Sequence, residues 1–353
     1  MIFKKILYVV LCLSLVLITF GSCIETDGGK VNDPEVQTKA YYEYFDTKSV
    51  IYSYKGDSAA EFDSNHKAVA EILSEYHKLF DIYYEYSGVN NLRTVNKRAG
   101  IEPVKVDERI IDFLLYAKEI YTLTNVKTNV AMGSVLKLWH DCREASEDGD
   151  PVAIPDEAAL KLAGNHCDIN NVIINREEGT VYLADPEMSL DVGALGKGYA
   201  TEKAADMLIA RGVSSYVLNI GGNIRAIGAK VSGEGWVTGI TNPDKDSTDP
   251  FVLKTVIKGT SLVTSGDYER YFVSNGVKYH HIIDPVTLMP ASYFSSVSVF
   301  TEDSGLADAL STALFCMSYE DGLKLVSDIG GVDVIWVDTE YNVRMTDGVT
   351  VKD

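Results

Sequence analysis

A late segment, Ala307-Asp308-Ala-Leu-Ser311-Thr312-Ala-Leu, sets a carboxylate and a hydroxyl four residues apart. On an α-helix that spacing puts both oxygens on one face. Their neighbours are small or apolar, so the face reads as buried, and a buried carboxylate needs a hydrogen bond, an opposite charge or a metal ion. Two hard oxygen donors suit Mg²⁺, which keeps its remaining positions for water, carbonyls and phosphates. A carboxylate hydrogen-bonded within the core is the plainer alternative. A second segment, His280-His281-Ile-Ile-Asp284-Pro285-Val-Thr287, holds two of the six histidines. Imidazole is the natural general base near neutral pH, and here the plainer alternative is a core histidine held by the nearby Asp.

Three further segments are rich in glycine. Asp191-Val-Gly-Ala-Leu-Gly-Lys197-Gly-Tyr199 follows a strand-like run and opens a helix. Its glycines let backbone approach a ligand closely, a helix N-terminus favours anions, and Lys197 is placed to meet a phosphate. It matches neither a P-loop nor a dinucleotide fingerprint, and a simple strand-to-helix turn explains it equally well. Asn219-Ile-Gly-Gly-Asn223 reads as a tight turn after a buried strand. Thr264-Ser-Gly-Asp-Tyr268-Glu-Arg270 reads as a hairpin carrying hydroxyls, one ring and one Arg.

These groups need elements to hold them. Ser64 to Glu85 reads as an amphipathic helix with Val69, Ile72, Leu73, Tyr76, Leu79 and Tyr83 on one stripe. Asp107 is placed to cap a second helix running to about Tyr121, with Ile111, Leu114, Leu115 and Ile120 inward. A third helix spans Lys197 to Ala210, with Gly212 at its C′ position, and leads into a buried strand from Val213 to Ile220. Ala307 to Met317 is an apolar helix, Ser318 caps the next, and Gly330-Gly331 ends that one. Strands are expected over Val50 to Tyr54, Val332 to Val337 and Val343 to Met345. Strands and helices do not strictly interleave, which favours an α+β fold over a doubly wound sheet. No break in composition divides residues 41–353.

The chain has 353 residues, enough for a sizeable core, with 51 acidic against 32 basic residues and a net charge of −19. That balance, without a basic run, excludes nucleic acid as a partner. Lys4 and Lys5 precede an apolar run from Ile6 to Phe20. The run falls short of the roughly 20 residues that span a bilayer and suits the core of a signal peptide. Gly21-Ser22-Cys23 then resembles a bacterial lipobox. Residues 1–22 are expected to be removed and Cys23 to be acylated, holding the protein by its lipid at the extracytoplasmic face of the cell membrane. Ile24 to about Ala40 is polar and reads as a tether, reaching about 23 Å as coil. Cys12 lies in the apolar run, and Cys142, Cys167 and Cys316 form neither a CxxC nor an even set, so neither a disulfide framework nor a zinc site is expected.

The five chemistry-bearing segments, in this order and behind a lipobox, resemble the ApbE family of FAD:protein FMN transferases from about residue 41 to the end. The resemblance implies an α+β fold of mixed sheets flanked by helices, with the active-site cleft between two lobes. By position, Asp308 and Thr312 match the family's side-chain Mg²⁺ ligands, and Ala194 matches a backbone-carbonyl ligand. Asp191, Lys197 and Ile282 match FAD-contacting positions, and His281 matches the catalytic base. Tyr86 to Asn96 is similar to the family's Tyr-containing flavin segment, and Phe45-Asp46-Thr47 to its first loop, with Phe45 where Met is common. Two departures stand out. Leu288 replaces the Gly usual after Asp-Pro-x-Thr, so a different backbone path is expected there. Asn129-Val-Ala-Met-Gly133 stands where Phe-Asp-x-Thr-x-Gly is usual, with Asn129 the expected cofactor contact in that loop.

The resemblance further implies the reaction. His281 would take the proton of a Ser or Thr hydroxyl on an acceptor protein, that oxygen would attack the FMN-side phosphorus of FAD, and AMP would leave. Acceptors would be subunits of membrane redox complexes or secreted flavoproteins bearing a short Ser/Thr motif. Two rival readings use the same residues: a Mg²⁺-dependent FAD pyrophosphatase, with water as acceptor, and a lipid-anchored flavin-binding protein without turnover.

Overall fold

The computed structural model describes residues 36–54, 57–147 and 152–352. The apolar run, Cys23 and most of the expected tether lie outside the described residues. Val36 to Ala40, read as the end of that tether, instead belong to the first strand, whose partner is the second strand.

Eight strands form one large sheet. They are β1 (Val36–Tyr44), β2 (Thr47–Tyr54), β6 (Ser215–Ile220), β7 (Asn223–Gly228), β10 (Ser261–Gly266), β13 (Phe294–Thr301), β14 (Asp333–Asp338) and β15 (Val343–Met345), adjacent in that order. Three small sheets complete the strands: β3 (Val104–Lys105), β5 (Thr180–Leu183) and β4 (Val172–Asn175); β16 (Val351–Lys352), β9 (Phe251–Ile257) and β8 (Trp236–Thr241); and the ribbon β11 (Tyr271–Ser274) with β12 (Val277–His280). The α+β class is as expected. Every described strand pair is antiparallel, so the mixture lies in sheet size and not in strand direction.

Between β2 and β6 the chain leaves the large sheet to build α1 (Ala59–Phe80), α2 (Leu92–Lys97), α3 (Glu108–Leu123), α4 (Gly133–Glu147), α5 (Glu157–Gly164) and α6 (Gly196–Ala210). Two helices, α7 (Ser304–Phe315) and α8 (Tyr319–Ile329), separate β13 from β14. α1 begins five residues before the expected start. Ser58 and Glu61 cap it reciprocally, a capping box that satisfies two orphan backbone donors. It ends at Phe80, before the expected Glu85, because the Asp81 carboxylate takes the N–H groups of Tyr83 and Tyr84 at 2.6 and 2.9 Å. Such side-chain bonds offer backbone an alternative to further helix. Tyr83 therefore leaves the buried stripe, while Val69, Leu73, Tyr76 and Leu79 stay in the core. Asp107 and Ser318 cap α3 and α8 as expected.

The segment Thr264 to Arg270 is not the expected hairpin. Thr264–Gly266 ends β10, which pairs with β7 and β13, and Asp267 to Arg270 then crosses to the ribbon. β13 is buried along all eight residues, so the sheet is covered on both faces at its middle. α6 and α7 pack against each other on one of those faces.

Candidate active site

Gly198 is where the two helices touch. A Cβ there would stand 2.3 Å from the Ser304 carbonyl oxygen and 2.4 Å from Asp308 Cβ, distances no real side chain tolerates. With only hydrogen at that position, Gly198 N–H reaches Asp308 Oδ2 at 2.7 Å. The carboxylate of α7 thus caps the N-terminus of α6, whose own N-cap Leu195 supplies no side-chain bond. Gly198 is the third residue of α6, so its N–H is one of the orphan donors of a helix start, and no donor reaches the Ala194 carbonyl among the described residues.

Asp308 is 5% exposed. Burial pushes its pKa upward, against Lys197, the Gly198 N–H and Asn223, which favour the charged form. Lys197 Nζ lies 3.9 Å from Asp308 Oδ1 and donates to Asn223 Oδ1 at 3.2 Å. Asn223 reaches this place through the two-residue turn between β6 and β7. Gly221 and Gly222 have φ of 56° and 92°, the paired left-handed geometry that type I′ hairpin turns require. The segment Asn219 to Asn223 is therefore a turn, as expected, and one that presents an amide to the lysine. Thr312, half-buried, lies one helical turn beyond Asp308. Ser311 ties this stretch of α7 to β10 through a 2.8 Å contact with Ser265 Oγ.

The donors available here are a carboxylate, a hydroxyl and an unclaimed carbonyl. Hard oxygens of this kind fit Mg²⁺. No group of three or more His, Cys, Asp or Glu suited to a metal occurs among the described residues.

His281 follows β12. Its backbone N–H and its Nδ1 both meet the Arg270 carbonyl, at 3.0 and 3.1 Å. A carbonyl only accepts, so Nδ1 carries the proton and Nε2 keeps its lone pair. Water reaches the ring, yet protein crowds around it. That desolvation, then the charge of Arg270, holds the imidazole pKa well below the ordinary range. Asp284 is not its partner: its carboxylate pairs with Lys127 Nζ at 2.9 Å. The core histidine is His280, which sits 2.7 Å from the Ala291 carbonyl.

The two centres are joined by charge. Glu269 feels both Arg270 and Lys197, and Arg270 also reaches His281, Asp191 and Tyr83. Asp191 accepts Gly193 N–H at 2.9 Å, and burial pushes its pKa upward. A cleft of about 370 Å³ beside Glu269 and Arg270 is lined by Asp46, Tyr83, His140, Arg143, Glu147, Glu269, Arg270 and Tyr271. Its charge is mixed, two Arg and a His against three carboxylates. Arg143 and His140 were not singled out from sequence, and Tyr83 was read only as part of a buried stripe. α4, which carries two of them, lacks a recognisable cap, and nothing in its pattern marks one face as functional.

Phe45 and Tyr86 meet across His77, described below. Asn129 donates to the Cys167 carbonyl at 2.9 Å and accepts from Ala131 N–H at 2.9 Å, so it pins two loops together. Ile282 has its side chain 6% exposed within the apolar core beside α7, and its carbonyl is taken by Ala291 N–H. The different backbone path expected at Leu288 is absent. Leu288 has φ 61°, the conformation glycine favours. It is held there by its N–H to the Asp284 carbonyl at 2.8 Å and by Trp139 Nε1 on its own carbonyl at 3.0 Å.

The α+β fold holds a buried carboxylate at a helix crossing and a tautomer-fixed imidazole, groups that suit a group-transfer enzyme. The ApbE family model matches residues 44–336, and the chain belongs to the ApbE family. It is 36% identical over 272 residues to the FAD:protein FMN transferase of Treponema pallidum, covering 73% of each chain. It is 30% identical over 279 residues to an FAD:protein FMN transferase of Klebsiella pneumoniae, covering 79% of this chain and 83% of the relative. Among solved structures, the ApbE protein from Thermotoga maritima superposes with a TM-score of 0.76 at 27% identity, covering 89% of this chain and 97% of that one.

Proposed function

We propose that this protein transfers FMN from FAD to a Ser or Thr hydroxyl of a partner protein and releases AMP. The observation that carries the reading is the Nδ1 bond from His281 to the Arg270 carbonyl, which leaves Nε2 free to accept a proton on an exposed residue. In the reaction His281 Nε2 takes the hydroxyl proton as that oxygen bonds to the FMN-side phosphorus. The bond from this phosphorus to the bridging oxygen breaks, and that oxygen leaves with AMP. Lys197 and the first amides of α6 offer positive charge to the phosphates. Asp308, Thr312 and the Ala194 carbonyl would hold Mg²⁺, which when bound neutralises charge on the phosphate oxygens. Asp191 orients the turn before α6 through Gly193, and the Phe45 and Tyr86 rings receive the flavin.

Acylation of Cys23 would hold the enzyme at the extracytoplasmic face of the membrane, within reach of redox-complex subunits or secreted flavoproteins. The experiment combines residues 24–353, FAD, Mg²⁺ and an acceptor domain with a candidate Ser/Thr motif. The expected result is an acceptor heavier by one FMN and fluorescent in a denaturing gel. His281 is exposed, so water also has access to it. Free FMN and AMP with an unmodified acceptor would assign the protein to FAD hydrolysis, and FAD binding without turnover to flavin carriage.

A further inference from the structure

His77, in the last turn of α1, has both ring nitrogens engaged, each by a different segment. Nδ1 accepts the Phe45 N–H at 3.2 Å, from the turn between β1 and β2. Nε2 lies 3.2 Å from the Tyr86 hydroxyl. A nitrogen that accepts an N–H carries no proton, so the proton is on Nε2. The Tyr86 oxygen therefore accepts from His77, and its own hydrogen goes to Asp81 Oδ2 at 2.7 Å. The relay has one direction, from imidazole to phenol to carboxylate. Asp81 is the same carboxylate that ends α1 by taking the N–H groups of Tyr83 and Tyr84.

The imidazole also packs on both rings. Its centroid is 5.7 Å from that of Phe45 at 83°, and 6.2 Å from that of Tyr86 at 69°, both edge-on. Phe45 and Asp46 have φ of 54° and 51°, left-handed values that L-residues hold only when their surroundings over-determine them. The His77 bond to Phe45 N–H is one such constraint, fixed to the rigid end of a 22-residue helix.

We propose that His77 is a positioning residue for FAD, setting the separation and tilt of Phe45 and Tyr86 so that they receive one planar ring. This rests on the reading of those two rings as flavin contacts. His77 touches no reacting atom. Its loss lowers affinity for FAD and leaves the chemistry at His281 intact.

Three variants separate its two bonds. His77→Asn keeps an acceptor at the δ position for Phe45 N–H and loses Tyr86. His77→Gln keeps a partner at the ε position for Tyr86 and loses Phe45. His77→Ala loses both. Equilibrium titration with FAD should show the alanine variant weakened about tenfold, as two lost neutral hydrogen bonds imply. The Asn and Gln variants should each fall between it and wild type. The rate of FMN transfer at saturating FAD should stay within about threefold of wild type for all three, since no transition-state contact is removed. Should the alanine variant fail to fold, the Asn and Gln variants still decide the matter by their KM against kcat. Unchanged FAD affinity in both, or a fall in kcat at unchanged KM, overturns the proposal. A wild type that binds no FAD overturns the functional reading itself and is seen in the same titration.

Discussion

Asp308 and His281 are held in opposite ways. Asp308 is 5% exposed, on a helix whose backbone nearly touches another at Gly198. His281 is open to water, beyond the end of a two-stranded ribbon, and depends on one carbonyl for its orientation. The carboxylate is fixed by packing that many residues share. The imidazole is fixed by a local bond that a small shift of the ribbon would change. On the proposed reading, charge that must already be in place when phosphate arrives is built into the rigid part, and the group that meets a protein-borne hydroxyl lies on the accessible part.

The most severe way to break this contrast is Asp308→Ala. Acceptor labelling, followed by intact mass, should fall by at least about 10³-fold, with near-UV circular dichroism retained. His281→Ala should cost about 10²–10⁴ in turnover and leave a slow, measurable rate, because the rigid half of the site survives. If His281→Ala abolished transfer while Asp308→Ala only slowed it, the assigned roles would be reversed. Gly198→Ala attacks the helix crossing without removing any reacting group. It should destabilise the fold by about 1–3 kcal/mol, read as a lower midpoint in urea, and lower transfer by the remaining folded protein.

The smallest effect concerns pH. The His281 pKa is held down by desolvation and by Arg270, so the base stays unprotonated as pH falls through the ordinary histidine range. The acid limb of kcat/KM should therefore lie below pH 6.5, the unperturbed value. Removing the cation with Arg270→Gln favours the protonated form and should move that limb upward, toward neutrality. A wild-type limb already at the unperturbed value would contradict the crowded environment described for the ring.

The rigid half was the more legible in sequence, for a physical reason. Asp308 and Thr312 share a helix face by local geometry, and α6, α7 and α8 announce themselves through apolar spacing, the Ser318 cap and terminal glycines. Their ends moved by a few residues only. Asn219 to Asn223 was legible too, since two glycines between strands permit few conformations. The open half depends on pairings distant in sequence. Thr264 to Arg270 looked like a hairpin because its actual partner, β13, lies about thirty residues further on. His281 was picked out, but not its tie to Arg270. Arg143 and His140 come from α4, which has no start signal, and the role of His77 appears only when two loops fold onto one helix end. Leu288 shows the converse: sequence suggested a new path, but two bonds, one from its own N–H and one from Trp139, hold the left-handed turn without glycine.

A single-turnover experiment tests the reaction most directly. Enzyme in excess over FAD is mixed with Mg²⁺ and acceptor domain, quenched at intervals, and divided by chromatography into FAD, free FMN, AMP and FMN-bearing acceptor. AMP and FMN-bearing acceptor should rise together at one rate, free FMN should stay near zero, and EDTA should stop both. Free FMN rising with AMP while the acceptor stays unmodified, or full labelling in EDTA, would contradict the roles given to the acceptor hydroxyl and to Asp308.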